Sequence, residues 1–198
     1  MEKRQNSGKH QFGRHEFDRM QPSKSSRLQL VPANNGDIET GWKLANNEIP
    51  GKIADISIIN HVITYNPNSI LLICRDEKIV GIWAMLMLSP IGLEQLLVGE
   101  LDATKPALNS LTPTDVAPQA IYFWAAVAPG IAAGAVMQIS QFLRQPLYRH
   151  ANCFSRPNTP AGERFNIGMG FKPVECGTPG LMRYVRLANR GETIQQAA

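Results

Sequence analysis

The chain has 198 residues, 43% hydrophobic and 18% charged, enough for one compact domain with a real core. That composition excludes a collagen-like or wholly disordered chain. Three cysteines without paired spacing (Cys74, Cys153 and Cys176) argue against a disulfide framework or a Cys/His metal box, so no metal is expected and a reducing cytoplasm is the expected compartment.

The net charge of +4 resides in residues 1–27, where Lys3, Arg4, Lys9, Arg14, Arg19, Lys24 and Arg27 face Glu2, Glu16 and Asp18. This leader is polar and aperiodic, holds no apolar signal core, and reads as disordered. The rest is neutral but polarised: five basic and ten acidic residues over 28–139, then eight basic and three acidic over 140–198. A basic C-terminal part predicts an anionic ligand there, against the plain alternative of a solvated basic surface.

From Leu28 the pattern becomes that of a folded domain, expected over 28–187, with 188–198 a frayed tail. LQLVPA predicts a strand, Asn35-Gly36-Asp37 a turn and cap, and IETGWKLANN a helix broken by Pro50-Gly51. Ile56, Ile59 and Ile63 recur at helical spacing within 53–65. SILLICRDEKIVGIWAMLML reads as a hairpin about the turn Arg75-Asp76-Glu77-Lys78, ended by Ser89-Pro90. IGLEQLLVGEL fits a strand or a short helix, and DATKPALNSLTPTDVAP is loop-like. AIYFWAAV is apolar throughout, as for a strand buried on both faces. A helix follows, with Val136, Ile139 and Leu143 on one side. ANCFS, FKPVEC and LMRYVRL read as strands, with a helix starting at Asn158–Pro160 between the first two. The uncharged run from Val116 to Leu143 raises a membrane reading, but Pro129-Gly130 breaks it midway. No membrane association is expected.

The informative junction is IYFWAAVAPGIAAGAV, where a buried strand enters a turn of small residues and a helix begins at once. The first amides of such a helix lack intrahelical acceptors and carry the positive end of its dipole. Small side chains let a bulky anion reach them, the recipe for a phosphate cradle. Neither a Walker loop nor GxGxxG is present.

Here the chain resembles the Gcn5-related N-acetyltransferase (GNAT) family. Val127-Ala128-Pro129 matches that family's V-x-P strand end. GIAAGAV then departs from x-x-(Arg/Gln)-x-x-G-x-(Gly/Ala): Ala132 stands where Arg or Gln is expected, and Gly134 comes one residue early. Asn158-Thr159-Pro160-Ala161 matches N-x-x-A, Gly170-Phe171 the family's helix-to-strand turn, and Val80-Gly81 its hairpin. The resemblance implies an α/β (α+β) fold, a mixed and mostly antiparallel sheet flanked by helices. It implies acetyl-CoA or another acyl-CoA beside Ile121–Val127, with contacts from Val127, Gly130, Ala132, Ala133, Gly134, Ala135, Asn158 and Phe165. Arg144, Arg149, Arg156, Arg164 and Lys172 become candidate phosphate ligands. The implied reaction transfers an acetyl or short acyl group to an amine-bearing acceptor.

For catalysis, the family's proton-donating tyrosine falls at Phe165 or Asn166. Tyr148, Ser155 and Cys153 are candidate substitutes, although Cys153 reads better as a small core residue. Glu100 is the candidate base. Trp83 and Trp124 read as core, Trp124 with a claim on the acceptor site. The missing Arg/Gln and Tyr favour an alternative, a catalytically inactive binding or regulatory protein of the same fold. Nucleic-acid binding through the basic leader ranks last, since the remainder is neutral. The acceptor's identity and a homodimer stay open.

Overall fold

The computed structural model describes residues 16–22, 27–34, 36–49 and 53–190. The Pro50-Gly51 break and most of the basic leader lie outside the described residues. Seven strands form one sheet: β1 (Leu28–Pro32), β2 (Ile70–Arg75), β3 (Lys78–Leu88), β4 (Ala120–Val127), β5 (Asn152–Ser155), β6 (Lys172–Pro173) and β7 (Met182–Tyr184). Their order is β1-β2-β3-β4-β5-β7-β6, antiparallel throughout except for the parallel β4–β5 pair. The helices are α1 (Ile38–Glu48), α2 (Ile56–Tyr65), α3 (Pro90–Val98), α4 (Ala132–Leu143), α5 (Pro160–Gly168) and α6 (Leu187–Arg190).

Strand alternation sorts the core into two layers. Trp83, Met85 and Met87 of β3, with Ile121 and Phe123 of β4, pack against Val136, Ile139 and Leu143 of α4 and Met169 after α5. Their neighbours Ile82 and Ala84 face Ile38, Ala45, Ile59 and Ile63 of α1 and α2, while Leu86 and Tyr122 pack with Val62 and Leu96 of α2 and α3. The ambiguous IGLEQLLV segment is helical because Ser89 caps it: its Oγ accepts from Gly92 N at 3.1 Å, with Pro90 in the first turn.

Three expectations need correction. Residues 16–22 do not behave as a disordered leader: Phe17 is fully buried against Phe123 and Tyr184, and its carbonyl accepts a bond from Ser140 Oγ. The expected frayed tail, 188–198, instead begins inside a helical turn, Leu187–Arg190, held by an Arg190–Glu16 ion pair of 2.6 Å. FKPVEC supplies only the two-residue β6: the Val174 amide still bonds the Leu181 carbonyl at 2.9 Å, and the chain then bends away over 176–180. Among the described residues no helix is long and apolar enough to cross a membrane.

Candidate functional site

The sheet splits where β4 outlasts its parallel neighbour. β5 pairs with β4 only from Ala120↔Asn152 to Phe123↔Ser155 and then stops, whereas β4 runs on to Val127. Beyond Phe123, that edge of β4 has no strand partner among the described residues. On the β3 side, the register passes from Ala84↔Ala125 to Met85↔Phe123, leaving Trp124 as an extra, bulged residue. Two clefts open along this free segment. One, about 390 Å³, has Trp83 and Phe123 as its floor, the start of α4 on one side, and Gly162, Phe165 and Asn166 of α5 on the other. The second, about 430 Å³, lies among Trp42, Ile49, Ile59, Ile82 and Tyr122. Trp124, Ala125, Arg156 and Asn158 border both.

The end of β4 delivers the chain straight into α4. Ile131, at the N-cap, provides no side-chain cap, so the amides of the first turn stay open to an outside acceptor. Ala132 and Ala133 are exposed there. Gly130 has φ +69°, with nothing within 4 Å of where a Cβ would stand, so the backbone is approachable from outside. Deeper in the turn, Ala135 is fully buried and its amide is bonded to the Ile131 carbonyl at 3.0 Å. Gly134 serves packing: a Cβ would lie 2.7 Å from Leu28 Cδ1 on β1. Val127 is a core side chain. Of the expected cofactor contacts, Ala132 lines the first cleft and Gly130 and Ala133 are exposed near it in sequence, while Val127 and Ala135 turn into the core. Asn158 is exposed at the mouth and Phe165 half-buried in the first cleft.

No protein-family profile matches the sequence, and no curated protein is similar to it in sequence. Its backbone, however, resembles solved structures. The loading GNATL domain of CurA from Lyngbya majuscula matches with a TM-score of 0.59 and 14% identity, covering 81% of this chain and 98% of that one. Ard1 from Thermoplasma volcanium matches with a TM-score of 0.52 and 12% identity, covering 82% of this chain and 99% of that one. The chain has the GNAT fold.

Within this GNAT fold, both expected catalytic residues fall away from the split. Tyr148 is buried against Phe142 in a stacked pair and belongs to the core. Burial raises the pKa of its hydroxyl, an effect that Asn68, just before β2, partly offsets. It follows α4, before β5 begins, and borders neither cleft, so it is out of reach of the free end of β4. Glu100 is exposed just after α3, its amide tied back to Gln95, and lines neither cleft. The carboxylate that does approach β4 is Glu48, at the end of α1, which lines an adjoining cleft of about 300 Å³ with Ala126–Pro129, Asn158 and Thr159.

The other candidates also separate. Cys153 is inside the core, where burial pushes its thiol up to about 12. Of the five candidate cations, Arg156 alone lines these clefts. Arg144 instead holds the carbonyls of Met20 and Ser140, and Arg149 bonds His150. Of the polar side chains at the site, sequence reasoning missed Tyr122 and named Ser155 only as one of three candidate substitutes for the tyrosine. Tyr122 faces the second cleft, its pKa raised by burial and partly offset by Arg156. Ser155 and Asn166 are both buried, lie in the first cleft, and are joined by Asn166 Nδ2→Ser155 Oγ at 3.0 Å. The sequence points to both: Ser155 as a candidate substitute, and Asn166 as the tyrosine position counted back from Gly170.

Proposed function

We propose that this chain binds an acyl-CoA in the split of its sheet and transfers an acetyl or short acyl group to an amine-bearing acceptor. The observation that carries the reading is the conjunction of two open backbone surfaces: an uncapped helix start at Ile131 and a strand edge without a partner from Trp124 to Val127. The residues fit such a ligand. Amides of Ala132 and Ala133 would receive its diphosphate, with positive partial charge where negative charge must lie. The free edge of β4 would pair with its amide-bearing arm as a strand pairs with an added strand. The donor supplies an activated thioester carbonyl.

This chain's residues then orient and shield the reaction. Trp83, Phe123 and Phe165 exclude water beneath the split. The chamber of about 430 Å³ beside Tyr122 and Trp124 would admit an acceptor or the acyl chain. In the transfer a C–N bond forms as the C–S bond breaks, its electron pair staying on sulfur, and the nitrogen's proton leaves to water or a base. Glu48 is the lining carboxylate available for that proton.

Titration calorimetry with CoA and acetyl-CoA tests the reading. Saturable binding with a thermal shift is expected; no heat and no shift at millimolar ligand overturns it. The second reading, an inactive acyl-CoA-binding protein, draws on one observation: neither of the two clefts that share Trp124 is lined by Asp, Glu or His among the described residues. CoA binding without acylation across a broad amine panel would favour it.

A further inference from the structure

We propose that the Ser155 hydroxyl, held in place by Asn166, is the hydrogen-bond donor to the sulfur of the acyl donor, in the position where this chain has no tyrosine. The inference rests on the reading above and names the group that stabilises its leaving thiolate. Ser155 is the last residue of β5 and pairs with Phe123 at the closed end of the split. The cradle at Gly130–Ala133 lies at the open end. An extended arm entering beside Val127 follows the free edge for four residues, roughly 13 Å at strand rise, and meets β5 again at Ser155.

The local hydrogen bonds leave the right atom free. Asn166 Nδ2 donates to Ser155 Oγ at 3.0 Å, and a second contact, 3.9 Å to Met182 Sδ, steadies the same amide. Ser155 Oγ is thus occupied as an acceptor. Its own proton has no acceptor among the described residues, and the side chain lines the first cleft. Asn166 is a neutral amide that acts through its bond to Ser155, so it is a positioning residue, and Ser155 is the one that touches sulfur. The hydroxyl stays protonated throughout. It donates a hydrogen bond to the thiolate formed as the C–S bond breaks, and the sulfur takes its final proton from water. Hydrogen bonding to the charged form lowers the thiol's pKa. Arg156 is the charged side chain lining this cleft, with no Asp, Glu, His, Lys, Cys or Tyr beside it, so its charge is the competing cause of any such lowering.

The test titrates the thiol of CoA bound to the full chain, following the ultraviolet thiolate band, which requires no acceptor. The bound thiol should ionise at lower pH than that of free CoA. Ser155→Ala should raise its pKa by about one unit, a tenfold loss of thiolate, while Ser155→Thr retains most of the lowering and Arg156→Gln leaves it largely intact. Should Ser155→Ala not fold, Asn166→Ala carries the same readout. The proposal is overturned if Ser155→Ala binds CoA with an unchanged thiol pKa, or if Arg156→Gln alone abolishes the lowering. Failure of the unaltered chain to bind CoA would overturn the functional reading as well, and calorimetry separates the two cases.

Discussion

Asp18 and Arg186 carry opposite charges into the core, their side chains 6% and 1% exposed. Arg186 Nε lies 2.8 Å from Asp18 Oδ1, and its Nη2 donates to the Leu143 carbonyl at 2.8 Å. Asp18 Oδ2 accepts from the Leu187 amide, also at 2.8 Å. Nε and Oδ1 meet as an ion pair without hydrogen-bond alignment, so it is the opposite charge that makes the pair tolerable, and removing one partner leaves a buried charge with nothing to offset it. Asp18→Ala is therefore expected to cost about 3–5 kcal/mol in urea unfolding. Glu16→Ala, which breaks the more exposed pair to Arg190, should cost under about 1 kcal/mol. Equal losses would show that the inner pair is not special. Nothing in the sequence announced this pair. Its members stand 168 positions apart, Asp18 in a stretch whose polarity reads as disorder, and Phe17 beside it shares that stretch only with Phe12, without helical or strand periodicity.

At the scale of elements, Asp76 and Glu77 both adopt positive φ, 48° and 64°, the geometry of a two-residue hairpin turn that suits Asn-Gly. Glu77→Gly should then stabilise the β2–β3 hairpin by several tenths of a kcal/mol, read as a higher urea midpoint with unchanged slope. Unchanged or lower stability would refute it. This hairpin was legible because two apolar β-rich runs flank a charged turn, and α4 because Val136, Ile139 and Leu143 share one face. The site was only half legible. Small residues after Val127 pointed to the cradle, but the Trp124 bulge and the early stop of β5 depend on pairing with distant strands, which local pattern does not encode. The family spacing likewise suggested contacts from Gly134 and Ala135, where helix packing on β1 decides the outcome. A charge at the exposed first turn of α4 tests what remains. Ala133→Glu places a carboxylate where the dipole welcomes it, worth about 0.3–1 kcal/mol of stability, yet directly against an incoming diphosphate. Thermal stability should hold or rise while CoA affinity falls about tenfold or more. Movement of both in the same direction would mean that the cradle is not the anion site.

Over the whole molecule, the floor of the split rests on residues from the far end of the chain. Phe123 meets Trp83, Phe171 and Phe17 with ring centroids 5.3, 5.7 and 5.9 Å apart. Phe17 in turn meets Tyr184 at 5.7 Å, the tyrosine whose hydroxyl accepts from the Asp18 amide. One aromatic cluster thus joins residues 16–22, the central strands and the last strand, and it supports the face along which a ligand would lie. A leader that merely carried charge would be dispensable to folding. This packing demands the opposite. Phe17→Ala should cost roughly 3–5 kcal/mol, on the order of 10 °C in thermal midpoint for a chain of this size. Deleting residues 1–27 should cost at least as much and should weaken CoA binding, because Phe123 loses its backing at the closed end of the split. Differential scanning calorimetry of the full chain, the point variant and the truncation, each with and without CoA, measures both effects. A truncation that melts with the full chain would return residues 16–22 to the disordered leader that the sequence suggests and detach them from the site.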